Sequence, residues 1–241
     1  MKATGIVALC VLAAALSGAR CALRTPPSGL VATTSQPTQL LPIREVCRKN
    51  KVTYPPNRVF IRVFKQEREL ELWGANSRGV MKLLRTYPIA AASGGPGPKR
   101  REGDMQVPEG VYRVARFNPH SRFHLSLGLN YPNAADRILG DRRHLGGDIF
   151  IHGNRVSAGC MAMTDQKIEE IYSLASRAKG AIPVHIFPSR MNSVEYRQLL
   201  RDNPGFASFW GELEPIYRAF ENRRVVPTVS VTTTGEYRLN S

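Results

Sequence analysis

Residues 151–163 read "IHGNRVSAGCMAM". The run "GGDIFIHG" over 146–153 has the texture of a short buried strand that ends at His152, and Cys160 follows after a turn of small and polar residues. Gly153 and Gly159 ease that turn and leave its backbone open to close approach. Beyond Cys160, Thr164 is placed to cap a helix through "DQKIEEIYSLASRAKG" (165–180). Its apolar stripe is Ile168, Ile171, Tyr172 and Ala175, and Gly180 is its stop signal. Strand, turn and helix in this order predict a β fold with one inserted helix.

Working outward, the flanks are mostly β. "VFIRVFKQERELELW" (59–73) gives two strand-like runs around a polar tip at Lys65–Arg68, a hairpin signal, and "VMKLLRTYPIA" (80–90) supplies a third strand. "VYRVARF" (111–117) resumes strand character. In "FHLSLGLNYP" (123–132), Phe123, Leu125, Leu127 and Leu129 alternate with His124, Ser126, Gly128 and Asn130, which predicts a strand with one buried face. "AIPVHIF" (181–187) closes the set. A helix from Ser193, a second through "GFASFWGELEPIYRAFENRR" (205–224) and a β-rich tail follow. The expectation is a mainly β domain with an inserted helix over 58–188, plus a small α-helical C-terminal appendage with a β tail over 189–241.

The N-terminus has another texture. Lys2 precedes an apolar run from Ile6 to Leu16 and then small residues, the layout of a secretory signal over 1–19. That run is too short for a permanent membrane span. Arg20 stands where lipid processing at Cys21 would need a small residue, which argues against an anchor. Residues 20–57, rich in Pro, Ser, Thr and Gln, read as a flexible tether. Export means that thiols within reach of one another tend to oxidise, and the three cysteines left after the leader (Cys21, Cys47, Cys160) form no disulfide framework.

Thirty-four basic against 19 acidic side chains give a net charge of +15, which predicts attraction to polyanions. A secretory leader makes nucleic acid a poor candidate and favours an anionic envelope surface. The charges are scattered, apart from Lys99-Arg100-Arg101. The loop "SGGPGPKRREGDMQVPEG" (93–110) has neither a Gly-Lys-Ser/Thr element nor G-x-G-x-x-G between strand and helix, so no nucleotide is expected. His120 and His124 have a ligand-like spacing without the glutamate a helical zinc motif needs, and no metal or other cofactor is expected.

The chemistry rests on His152 and Cys160. A thiolate is the nucleophile, and an imidazole beside it removes the proton and then stabilises the charge. Acyl transfer also needs donors for an oxyanion, for which the N–H groups of Gly159 and Cys160 are candidates, in a loop kept lean by Ser157, Ala158 and Gly153. From spacing alone three readings stay open: a catalytic pair, an inert buried thiol, and a disulfide from Cys160 to Cys47.

"IHG" ending a strand and then "S-x-G-C" entering a helix resemble the L,D-transpeptidase catalytic domain of the YkuD type. "PEGVYRV" (108–114), "FHLSLGLNYPNAAD" (123–136) and "GCMAMTDQKIEEIY" (159–172) look like its branch of murein L,D-transpeptidases and related L,D-hydrolases, with a weaker echo in "W..LE..Y..F" (210–220). The resemblance implies a YkuD-like β-sandwich in which Cys160 is the nucleophile and His152 the proton acceptor and later donor, oriented by a backbone carbonyl. It implies a periplasmic or cell-envelope enzyme that crosslinks or remodels peptidoglycan by opening a stem peptide between a diamino acid and a D-residue through a thioester. The acceptor is an amine of another stem or of a wall-anchored lipoprotein. If water is the acceptor, the chain is a hydrolase that releases D-residues or attached protein. A non-catalytic, basic wall-binding protein is the rival of another class. The chain departs from commoner members in a shorter His-to-Cys connection, Ala158 in place of a histidine, and Met161-Ala162-Met163 after the cysteine. Arg155 or the Lys99–Arg101 loop is then left to recognise the donor's carboxylate, with His124 and Tyr131 as further groove candidates.

Overall fold

Six consecutive residues, Val59–Phe64 (β1), are all buried, although Arg62 is among them. Burial on both faces explains why the run is apolar apart from Arg62. Val59, Ile61 and Val63 enter the main core, while Phe60 and Phe64 point the other way. Strand β2 (Glu69–Ala75) returns antiparallel to β1, so the hairpin is present, and β3 (Met81–Pro88) pairs with β2.

The computed structural model describes residues 40–240. The expected leader over 1–19, Cys21 and the first part of the tether lie outside the described residues. Further along come β4 (Ala91–Ala92), β5 (Gly110–Ser121), β6 (His124–Leu129), the helix α2 (Ala134–Leu139; α1 is Ile43–Lys49), β7 (Phe150–His152) and β8 (Met161–Ala162). Then follow α3 (Asp165–Ala175), β9 (Pro183–Phe187), α4 (Val194–Asp202), α5 (Ala207–Arg223) and the hairpin β10 (Val229–Val231)–β11 (Tyr237–Leu239). One nine-stranded sheet runs β3-β2-β1-β9-β5-β6-β7-β8-β4. Its curl comes from β5, which pairs with β9 through Gly110–Arg113 and with β6 through Val114–Ser121, with register shifts along the second half. The fold is mostly β with a few helices, as expected.

Four expectations need correction. Residues 43–57 are not tether: α1 packs on β3, and Cys47 and Val52 are buried in the main core. Residues 189–241 are not a separate appendage, because Leu40–Ser241 form one compact unit. Met191, Tyr196, Trp210, Leu213, Ile216, Tyr217 and Tyr237 share a core with Phe64 of β1 and Phe187 of β9. Strand β6 does not leave its second face to solvent, since Ser126 and Gly128 are as buried as Leu127 and Leu129. Thr164 stands at the N-terminus of α3 with a left-handed φ of 82°, and its side chain makes no capping hydrogen bond.

Candidate active site

The two parallel strands β7 and β8 carry His152 and the residues that follow Cys160. Ile151 faces Met161, and His152 faces Ala162. Ile151 and Met161 enter the core with Leu127, their neighbour on β6, so His152 lies on the opposite face beside Ser126. Cys160 directly precedes β8, and its sulfur lies against β7, within hydrogen-bond distance of the Phe150 N–H. A two-residue strand therefore separates the cysteine from α3, which starts at Asp165, and the cysteine does not enter the helix as the motif implied.

His152 is 2% exposed. Its Nδ1–H donates to the carbonyl of Gly153 at 2.6 Å, which leaves the lone pair of the neutral ring on Nε2. Phe123 lies over the imidazole, with centroids 4.7 Å apart and planes tilted by 32°. Burial holds the imidazole below the ordinary histidine range, and the Gly153 carbonyl only partly offsets that. Gly153 must be glycine: a Cβ there would come within 2.6 Å of the Phe123 carbonyl oxygen and of Asp165 Oδ1, which holds the Asn154 N–H at 2.7 Å.

The Cys160 sulfur accepts from the Phe150 N–H at 3.4 Å and donates to the Asp148 carbonyl at 3.5 Å. Burial pushes the thiol up; the Phe150 N–H and the charge of Lys99 pull it down, and Asp148 adds to the rise. Both reactive groups therefore rest neutral. A resting thiolate stabilised by imidazolium is not what this geometry favours, because desolvation penalises both charged forms. Cys47 and Cys160 are free thiols, so the disulfide between them is not formed.

The turn before the cysteine is held from a distance. Ser157 Oγ–H donates to the Cys160 carbonyl at 2.7 Å, and the Ser93 N–H donates to Ser157 Oγ at 3.2 Å. Ser93 Oγ accepts from the Gly159 N–H at 2.6 Å. That amide is engaged with Ser93 in this structure. Gly159 has φ +95°, and a Cβ on it would sit 3.0 Å from the Gln106 carbonyl oxygen. Ser93 follows β4, whose Ala91 and Ala92 pair with Ala162 and Met161. Nothing in the local pattern around Cys160 pointed to Ser93.

Other expected site residues fare differently. Arg155 is exposed, close enough to Lys167 to hold that lysine's pKa down after burial has done so. His124 borders the site through its Cβ, near Gly153, but its Nε2 is engaged with Glu169 of α3 at 2.7 Å. Tyr131 is 6% exposed, and its hydroxyl donates to the Leu145 carbonyl at 3.0 Å; it is a core residue and not a groove residue. Lys99 is 5% exposed and spent on Asp104 (2.6 Å) and the Arg101 carbonyl (2.7 Å). Burial alone would raise Asp104, but Lys99 and three backbone N–H groups hold it down at about 2. Beside Ser93 opens a cavity of about 270 Å³ that also touches Gly94, Gly95, Arg68, Pro188 and Leu199. Lys65 at its wall donates to the Gly97 and Val107 carbonyls and pairs with Glu109. Among the described residues Arg68 makes no ion pair.

Among the described residues no group of His, Cys, Asp and Glu side chains is arranged to hold a metal ion, and no helix is long and apolar enough to cross a membrane.

A family model for the L,D-transpeptidase catalytic domain, YkuD, matches residues 58–186. Over 216 residues the chain is 37% identical to a protein of Escherichia coli (strain K12) named "Putative L,D-transpeptidase YafK", spanning 87% of this chain and 82% of that protein. The protein of the same name from Escherichia coli O157:H7 matches to the same extent. The helical cell shape determining protein Pgp2 from Campylobacter jejuni is 18% identical over 79% of each chain, with a TM-score of 0.46, a likeness too distant to bear on function. With more than half of its length matched by the family model, and with such relatives, the chain belongs to the L,D-transpeptidase catalytic-domain family.

Proposed function

We propose that the chain is an exported cysteine acyltransferase that acts on peptidoglycan stem peptides, with Cys160 as nucleophile and His152 as general base and acid. One observation carries this reading: the imidazole is anchored through Nδ1–H, which leaves Nε2 able to accept a proton, on a strand whose parallel partner β8 begins directly after Cys160. The peptide lies across the Cys160 turn and into the cavity beside Ser93, where Arg68 meets its carboxylate. Because both groups rest neutral, the thiol proton passes to His152 Nε2 as sulfur attacks the amide carbonyl after the diamino acid. The Cys160 N–H contributes to holding the oxyanion. His152 then protonates the departing amine of the D-residue and a thioester remains. An amine from another stem peptide, or from an anchored protein, resolves it as a crosslink; water resolves it as hydrolysis.

The test is mass spectrometry of the purified protein with defined tetrapeptide muropeptides, against Cys160→Ala. A thioester adduct and new products in the parent, both lost in the variant, are expected, and the products separate crosslinking from hydrolysis. Equal wall binding without turnover in either protein favours a non-catalytic adhesive role and overturns the proposal.

A further inference from the structure

Away from Cys160, at the C-terminal end of α1 and the β2–β3 turn, a cavity of about 430 Å³ is lined by Lys49, Asn50, Lys51, Asn76, Arg78 and Lys82, together with Ser77. Lys49 and Lys51 come from the end of α1, Arg78 and Lys82 from the β2–β3 turn and the start of β3, and the two pairs meet only in the fold. No carboxylate lines the cavity, and none of the four enters an ion pair among the described residues. The nearby carboxylate of Glu45 is taken by Arg48 at 2.8 Å. Arg58 adds a further cation at the rim, with a guanidinium nitrogen 4.0 Å from where a Cβ of Gly79 would stand.

The walls are fixed without a ligand. Asn76 Oδ1 accepts from the Arg78 and Val80 N–H groups, each at 3.0 Å, and closes the β2–β3 turn. Asn50 Nδ2 donates to the Val46 carbonyl at 3.0 Å and to the Leu83 carbonyl at 3.3 Å, which ties the end of α1 to β3. Lys51 takes a left-handed φ of 57°, which turns the chain back at the end of the helix. Four like charges gathered in one concavity repel one another, and the field they create draws in counterions. The lining holds amides and a hydroxyl but no aromatic ring and no apolar anchor. Such a site fits a compact, multiply charged oxyanion; a lone carboxylate would neutralise only one of the four cations.

We propose that this cavity binds a phosphate-bearing anion through Lys49, Lys51, Arg78 and Lys82. The ligand is either a free phosphate compound or a phosphate headgroup that protrudes from a lipid surface, and the site works independently of Cys160. The experiment titrates the full-length protein with inorganic tripolyphosphate by calorimetry, and separately with phosphatidylglycerol or phosphatidylcholine vesicles by co-sedimentation. The variant is Lys51→Glu with Arg78→Glu. The control is Arg142→Glu with Arg143→Glu, two exposed positions outside the cavity that change the net charge by the same amount.

Affinity for tripolyphosphate or for phosphatidylglycerol vesicles should fall about tenfold or more in the cavity variant and by less than about twofold in the control. The binding should also weaken as salt is raised. Binding confined to the anionic vesicles assigns the headgroup as the source, and binding of tripolyphosphate alone assigns a soluble ligand. Equal losses in variant and control would reduce the effect to net charge and overturn the site. Failure of the parent protein to bind either probe would also overturn it. Thioester formation on muropeptides should be the same in the cavity variant and the parent, so failure of this site and failure of the proposed enzyme are separate results.

Discussion

Cys160 and His152 each sit where their charged form is disfavoured. In the proposed mechanism the proton therefore moves during attack, and no ion pair is stored beforehand. Alkylation of Cys160 by iodoacetamide should rise only at a pH above that of an ordinary cysteine, because burial raises the thiol. Changing His152→Ala should hardly move that profile while slowing acylation by stem peptide by about 10² to 10⁴ fold. An alkylation midpoint well below the ordinary thiol value, abolished in His152→Ala, would instead indicate a resting thiolate–imidazolium pair. The acid limb of turnover should fall below the ordinary histidine value of about 6.5, since protonating the imidazole removes the base. At the same scale, cations alike in sequence have unlike fates. Lys99 is buried and Lys65 half-buried, and both are spent on groups of the 93–110 loop, whereas Arg68, at the cavity beside Ser93, makes no ion pair among the described residues.

At the scale of elements, α2 shows how a short helix is pinned to the sheet. Asn133 caps it through the Asp136 N–H, Asp136 answers by accepting from the Asn133 N–H, and the Tyr112 hydroxyl of β5 donates to the same carboxylate at 3.1 Å. Burial raises Asp136 to about 6, against the lowering effect of the Asn133 and Tyr112 hydrogen bonds. The sign follows from the raised value. The folded state holds this proton where the unfolded chain has released it, so the contribution of Asp136 to stability is fully present below about pH 4 and is lost as the pH climbs from about 4 to 6. At about 1.4 kcal/mol per pH unit, the decline amounts to roughly 3 kcal/mol. Urea denaturation of Asp136→Asn between pH 4 and 7 should lack that part of the slope. An identical slope in parent and variant would show that the carboxyl is not the group responsible.

At the scale of the molecule, the C-terminal segment completes the fold. Helix α5 covers the sheet face that the main core leaves open, with Phe220 against Phe60 at 4.9 Å and Tyr217 against Phe187 at 5.4 Å. Arg62, buried beneath it, pairs with Glu221 of α5 at 2.7 Å and with Glu71 of β2 at 3.3 Å. Trp210 reaches the other way, its indole N–H donating at 2.6 Å to Glu109, the carboxylate that also holds Lys65 and the Gly97 N–H. The segment is thereby connected to the loop that frames the Ser93 cavity. Trp210→Ala should cost about 3 to 5 kcal/mol in chemical denaturation, since a cavity is added to a lost partner for a buried carboxylate. A fragment of residues 58–188 should not fold, because it would expose the aromatic side of β1 and β9 and leave Arg62 short of a partner. A cooperative unfolding transition from that fragment would contradict this.

Local pattern determined much of this protein. The β-rich runs around the polar tip at Lys65–Arg68 predict the β1–β2 hairpin and the run that follows predicts β3, the 3.6-residue stripe of Ile168, Ile171 and Ala175 predicts α3, and the small residues around Cys160 predict a tight turn beside a strand-end histidine. Such signals are legible because they depend on neighbours within a few residues. What pairs across the chain was decided by the tertiary structure alone. Ser93 holds the turn of a cysteine more than 60 residues further on, Tyr131 turns inward, residues 43–57 and 189–241 join the domain, and scattered lysines meet in one cavity. Each of these depends on which strand lies next to which, and that order is set by packing the whole set of apolar faces together, which no local period encodes.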